Sequence, residues 1–374
     1  MGNRAIPAHL PTCSAMACCS LSMVLQRACL LLILAFPTIT AAQHPLVRLT
    51  QAAHQAGHFN GAVLAARNGR VVAQVQQGDA NLQFGVPITA ATRFPIASMT
   101  KLFTAILTLQ LVERGQLQLD TPAATYLPEL PATCHAITIR QLLTHTSGLR
   151  NEPLQAYQAP YPTQDFVWRF VHLDSTRQAA TFTYNNVDYI VLTRVLEVVT
   201  KHPYAALVAA NIFAPLHMHD SGVVSEARII PRLAYGYHNY SFGKGHPQDT
   251  LRNDRRYLSN YAGAGALYST ARDLYQLVQG LQAHTLLSAA TSEAYLLQPQ
   301  PGAPFLEYAR GRSTLGSFFN DQTFATPVLE RRGSIEGFNS VLLTSRDFTK
   351  VLIVLTNTDQ ADLEQLGDQL YQAF

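Results

Sequence analysis

Apolar positions recur at helical spacing from Val47 to His58, through Val47, Leu49, Ala52, Ala53 and Ala56, and predict an opening helix. Two β-prone runs follow, Gly61–Ala66 and Val71–Val75, with Asn68-Gly69 between them. Asn-Gly in that setting is a strong hairpin signal, because both turn positions need positive φ. The far end mirrors this opening. Pro327–Glu330, Phe338–Thr344 and Lys350–Thr356 read as strands, with a turn near Arg346-Asp347. Leu363 to Phe374 reads as a closing helix, apolar at Leu363, Leu366, Leu370 and Phe374.

The middle of the chain is richer in helices. Met99 to Arg114 is apolar on nearly every side, and Gly115 follows as a stop. A helix apolar all round is a buried one. Ile139–Leu143, Ile190–Val199, Tyr204–Ile212 and Ala271–Leu281 also carry helical patterns. The prediction is an α+β fold: an antiparallel five-stranded sheet flanked by helices, with a mainly helical second lobe. The sheet comes from about 43–95 and 300–374, the helical lobe from about 96–299, and a cleft lies between them.

Composition adds a leader and removes some partners. The chain has 374 residues, a length that allows one large unit or two interlocked lobes. Arg27 precedes an apolar run from Ala28 to Phe36, and the small residues Thr40, Ala41 and Ala42 precede Gln43. That is the pattern of a signal peptide over 1–42, too short in its apolar part for the ~20 residues of a membrane span. An N-terminal interfacial helix is the competing reading. Translation starting at Met16 or Met23 would give a more usual n-region. Two of the 27 basic residues and none of the 24 acids fall in 1–42, so the remainder is almost neutral. Nothing in that balance points to nucleic acid or an acidic polymer. Cys13, Cys18, Cys19 and Cys29 also fall in the leader, which leaves Cys134 alone and allows no disulfide after cleavage.

Three short segments carry candidate chemistry. Ser98-Met99-Thr100-Lys101 sets a lysine at i+3 from a serine, so on a helix both side chains share one face. Phe94-Pro95-Ile96-Ala97 reads as an extended entry, which puts Ser98 at a helix N-terminus, where backbone N–H groups favour negative charge. A serine hydroxyl needs a base, and a lysine serves only if burial or positive charge lowers its pKa. An N-cap serine beside a solvated lysine is the alternative for this segment alone. The second segment is Tyr184-Asn185-Asn186. A phenol beside an ammonium can act as general base, and an amide two residues on can hold the lysine and a substrate carbonyl. A plain turn is the alternative. In the third segment, Arg331-Arg332-Gly333-Ser334, a strand beside the serine would give a backbone N–H to an oxyanion. Gly333 would admit the substrate, and Arg331 would bind a substrate carboxylate.

In this order and at these separations, the three segments resemble the serine β-lactamase-like family, which includes class C β-lactamases, D-alanyl-D-alanine carboxypeptidases, D-aminopeptidases and related esterases. Leu142-Leu143-Thr144-His145-Thr146-Ser147-Gly148-Leu149, the Ala264–Leu274 segment and Gly337-Phe338 are similar too. The resemblance runs from about His54 to the C-terminus and implies a β-lactamase/transpeptidase-like fold. It implies Ser98 as nucleophile, Lys101 as its partner, Tyr184 as general base or proton shuttle, and Asn186 beside the lysine. Backbone N–H groups of Ser98 and Ser334 would form the oxyanion hole, with Arg331 and Gly333 at the substrate. The implied protein is an exported, periplasmic or extracellular serine hydrolase, an esterase or D-amino-acid peptidase. It would act on a small molecule or peptide, with no cofactor, no metal and no stable membrane span. A penicillin-binding or sensing module with little turnover is the alternative. The resemblance makes His145 a structural residue. His217-Met218-His219 lacks a third metal ligand at convincing spacing. Family members usually carry Lys or His where this chain has Arg331, and arginine cannot give up a proton. The loops Asn151–Asp165 and Tyr235–Asn253 offer Tyr157, Tyr161, Tyr237 and Tyr240 as candidate pocket walls.

Overall fold

Asn68 and Gly69 close the opening hairpin, with φ of 51° and 75°, the positive values that the turn requires. The structure is a computed structural model, and it describes residues 44–176, 180–238 and 257–374. The leader 1–42, and Tyr240 with most of its loop, lie outside the described residues.

Helix α1 (Pro45–Gln55) precedes strands β1 (Gly61–Arg67) and β2 (Arg70–Gln77). The principal helices of the middle are α2 (Thr100–Glu113), α3 (Asn186–Thr200) and α4 (Ala271–Gln282). Three short strands follow: β3 (Phe305–Leu306), β4 (Gly311–Ser313) and β5 (Phe318–Asn320). The chain ends with β6 (Val328–Ile335), β7 (Phe338–Ser345), β8 (Lys350–Thr356) and α5 (Leu363–Gln372). The sheet order is β2-β1-β8-β7-β6-β5-β4-β3, antiparallel throughout. The two ends of the chain meet at its centre, where β1 pairs β8 from Gly61↔Thr356 to Arg67↔Lys350.

The five long strands are the five expected. The sheet nevertheless has eight strands, because β3, β4 and β5 are two or three residues long and too short to show alternation. The central strands read as unbroken apolar runs because both faces are covered. Leu64 of β1 and Ile353 of β8 face a core shared with Phe103 and Ile106 of α2. Val63 and Val354 point the other way, onto Leu46 of α1 and Leu366 and Leu370 of α5. One expected helix changes form: Tyr204–Val208 is regular, and Ala209–Phe213 widens into a π turn.

Helix α2 is the central post. Leu102, Phe103, Ile106 and Leu109 are at most 4% exposed. Burial of each such side chain stabilises by about 1.5–3 kcal/mol. Together they hold the helix fixed while a charged-type residue, Lys101, is buried within it. Just before α2, Phe94–Pro95 pairs with Leu267–Ser269, and Ile96 N donates to Leu267 O at 2.9 Å. The extended entry is therefore a strand in a small second sheet.

Candidate active site

Ser98 sits in a 3₁₀ turn, Ala97–Met99, which runs directly into α2. Ala97 is held at φ 47°, a costly conformation for a residue with a Cβ. The small sheet before it and α2 after it keep it there.

Lys101 lies one turn on and is fully buried. Its Nζ donates to Asn186 Oδ1 at 2.8 Å and to Ala264 O at 2.9 Å, and it lies 3.1 Å from Ser98 Oγ. Asn186 Oδ1 and the carbonyl can only accept. A protonated amine has a third N–H for Ser98 Oγ or the Tyr184 hydroxyl. A neutral amine has two N–H groups, enough for the two acceptors, and can turn its lone pair to the Ser98 hydroxyl. Burial pulls the Lys101 pKa below its ordinary value; Tyr184 opposes that shift and Arg331 adds to it. The cage thus suits an amine that accepts a proton from Ser98.

Asn186 is oriented by a residue that sequence reasoning missed. Its Nδ2 donates to Glu152 Oε1 at 2.8 Å. A carboxylate only accepts, so Oδ1 must face the lysine. The Tyr157 hydroxyl donates to the same Glu152 oxygen. Glu152 follows the Ser147-Gly148-Leu149 segment in an irregular loop, where no periodicity marks it. Asn185 caps α3 through Val187 N at 2.7 Å and donates to Leu149 O at 2.5 Å, which fixes where Asn186 enters the site.

Tyr184 is half-buried, with its hydroxyl among Ser98, Lys101 and Arg331. Lys101 Nζ is 4.8 Å from its ring centroid, and Arg331 Nη2 is 3.4 Å from its hydroxyl. Burial alone would raise its pKa. The positive charges of Lys101 and Arg331, with hydrogen bonds from Lys101 and Ser98, outweigh burial and lower it to about 8.

His145 supports this phenol from behind. Its ring packs 4.5 Å from that of Tyr184, and its carbonyl accepts from Thr183 N at 2.8 Å. Its Nδ1 lies 3.0 Å from the buried Asp188 carboxylate, which also accepts from Ser147 Oγ at 2.5 Å. Burial, then the charges of Lys101 and Arg331, hold the His145 pKa well below the usual histidine range. It is a neutral structural residue.

Strand β6 runs beside Ser98, and two of its residues make contacts that were not expected. Arg331 lines the larger pocket at Ser98 but turns two of its donors inward. Its Nε and Nη2 donate to Ser98 O at 2.9 and 2.7 Å, and the residue is 2% exposed. Gly333 also lines that pocket, and its missing side chain makes a second approach possible. A Cβ there would lie 2.3 Å from Ile96 O and 2.9 Å from Ser98 N, so the glycine admits the protein's own nucleophile turn. Ser334, the next residue, is exposed and lines both pockets that meet at Ser98. One, about 510 Å³, runs past Tyr184, Tyr308 and Phe318. The other, about 360 Å³, runs past Asn186, Glu152 and Tyr261. Among the candidate wall residues, Tyr157 lines the second pocket and stacks on Tyr261 at 4.9 Å. Tyr161 packs on Phe170, and the buried Tyr237 accepts from Leu82 N at 2.6 Å.

Comparison with known proteins places this geometry. A sequence profile described as Beta-lactamase matches residues 46–373. The chain belongs to the beta-lactamase family. Among relatives in it, PbpX of Bacillus subtilis (strain 168), assigned as a penicillin-binding protein, is 29% identical over 316 residues, 84% of this chain and 75% of that one. The teichoic acid D-alanine hydrolase of Staphylococcus aureus is 28% identical over 236 residues, 63% of this chain and 57% of that one. Among solved structures, a penicillin-binding protein from Bacillus halodurans superposes with a TM-score of 0.73 at 25% identity, over 88% of this chain and 99% of that one. The beta-lactamase family thus accounts for the α+β fold, and its hydrolase members agree with a serine hydrolase.

Proposed function

We propose that the protein is an exported serine hydrolase that cleaves an ester or amide through an acyl-Ser98 intermediate. The carrying observation is the Lys101 cage: a fully buried amine whose two obligate acceptors leave its third direction to Ser98 Oγ. In this reading the Ser98 hydroxyl proton passes to Lys101, with Tyr184 as the shuttle between lysine, serine and leaving group. Ser98 Oγ adds to the carbonyl, the leaving group departs with that proton, and water then releases the acid. The backbone N–H groups of Ser98 and Ser334 serve the oxyanion, in keeping with the strand that Gly333 lets approach the nucleophile. The names of the S. aureus relative and of a structural neighbour, a D-amino acid amidase from Ochrobactrum anthropi, favour esters or amides of amino acids. Export rests on the apolar run after Arg27; among the described residues, no helix is long and apolar enough to cross a membrane.

The test is incubation with p-nitrophenyl acetate and with a fluorescent penicillin, read by product release and intact mass. The expected result is turnover of the ester, an acetyl adduct on Ser98, and loss of both in Ser98→Ala. Full activity in Ser98→Ala would sink the assignment. A stable adduct without turnover would instead favour the sensing module.

A further inference from the structure

We propose that Arg331 is a positioning residue, and that its inward pose makes this enzyme select acyl donors that carry no carboxylate beside the scissile bond. The inference rests on the acyl-serine reading above. Arginine recognises a carboxylate through a fork of two N–H donors, either Nε with Nη2 or Nη1 with Nη2. Both forks need Nη2. Here Nε and Nη2 converge on the Ser98 carbonyl, and Nη2 also faces the Tyr184 hydroxyl. The Phe318 ring, 5.7 Å from the guanidinium carbon, packs against the same group. No fork is left for a ligand. Turning the side chain outward would strip both charged donors from the backbone of the nucleophile itself.

Among the described residues, no other cation takes over. Arg332 lines the larger pocket but is held by the buried Glu330 and lies 3.9 Å from Asp368. Asp362 and Glu364 share that pocket. The smaller pocket carries Glu152 and Glu336 and neither Lys nor Arg. A carboxylate entering either pocket would lose water and meet acids without a donor fork, which is unfavourable. A neutral or ammonium-bearing acyl donor meets no such barrier. The charge of Arg331 acts on the machinery instead, since it faces Lys101, Tyr184 and His145.

Two N-acetylglycyl thioesters test this, one leaving as mercaptoacetate and one as the uncharged mercaptoacetamide. In each, the Ser98 Oγ–carbonyl bond forms, the carbon–sulfur bond breaks, and the serine proton leaves on the thiol. The expected kcat/KM for the carboxylate is no higher than for the amide. Arg331→Gln should slow both equally while the pH profile of acylation moves up by about one unit; Arg331→Lys should keep the original profile. A preference of tenfold or more for the carboxylate overturns the inference, as does an Arg331→Gln enzyme with unchanged rate and profile. Absence of any acyl-Ser98, including from p-nitrophenyl acetate, counts against the acyl-serine reading itself.

Discussion

Tyr184→Phe isolates one oxygen. The ring contacts to His145, 4.5 Å away, and to Lys101 Nζ, 4.8 Å from the centroid, survive the change. The hydroxyl contacts that disappear are the 3.4 Å approach of Arg331 Nη2 and the hydrogen bonds from Lys101 and Ser98, so the stability cost should be about 1–3 kcal/mol. The kinetic cost should be larger. With its pKa lowered to about 8, roughly a tenth of the phenol is ionised at pH 7, against about a thousandth for an ordinary tyrosine. That is about a hundredfold more phenolate, while each phenolate is a weaker base than that of an ordinary tyrosine. Losing the phenol altogether should cut acylation by about 10²–10⁴-fold, the scale of general acid–base catalysis.

The pH profile sharpens this prediction. For the parent enzyme, acylation should rise with pH through an apparent pKa of about 8, a value that belongs to the Tyr184–Lys101 pair. In Tyr184→Phe the phenolate no longer raises the Lys101 pKa, so the lysine value falls further. The limb near pH 8 should then be lost and any remaining acid limb should lie at lower pH. Burst kinetics with p-nitrophenyl acetate, beside a thermal melt to show that folding is intact, measures both. An unchanged rate, or a limb that stays near 8, would remove Tyr184 from proton transfer.

Two further substitutions probe the supports. Glu152→Gln frees the Asn186 amide to turn and removes a charge that raises the Lys101 pKa; steady-state kinetics should show kcat/KM about 10–100-fold lower, the worth of a hydrogen bond to a charged group, and any acid limb moved down. Gly333→Ala drives a Cβ into Ile96 O, Ser340 Oγ and Ser98 N. It should destabilise by about 1–3 kcal/mol, lowering Tm by several degrees, and it should slow acylation even where the protein remains folded. An alanine variant with unaltered Tm would show that the strand does not press on the nucleophile turn.

What the sequence disclosed follows from the range of each signal. The Asn68-Gly69 hairpin, the all-apolar α2 and the closing helix are local, and period and turn chemistry reveal them. Ser98 and Lys101 are also local, one turn apart. Tyr184, Asn186 and Ser334 were reached through family resemblance, since nothing in their own spacing brings them to Ser98. Glu152 escaped because its partner, Asn186, is 34 residues away and its loop has no period. Arg331 and Gly333 line the larger pocket as expected, and each also meets the Ser98 turn, a neighbour the sequence did not disclose. Sequence shows that a charge and a gap exist there, but not that the Ser98 backbone fills the gap and takes the charge.

That undisclosed neighbour bears on how the site is built. The nucleophile turn is held at a left-handed Ala97 on one side and gripped at its carbonyl by Arg331 on the other. Gly333 lets the strand close on it from a third direction. A turn so confined has little room to relax, which suits a fixed 3.1 Å approach of lysine to serine. Arginine suits this grip better than lysine would, because two of its donors meet one carbonyl from a rigid plane. Its fixed charge also opposes protonation of the amine behind it. The residue that weakens the case for a substrate carboxylate thus strengthens the case for a serine nucleophile.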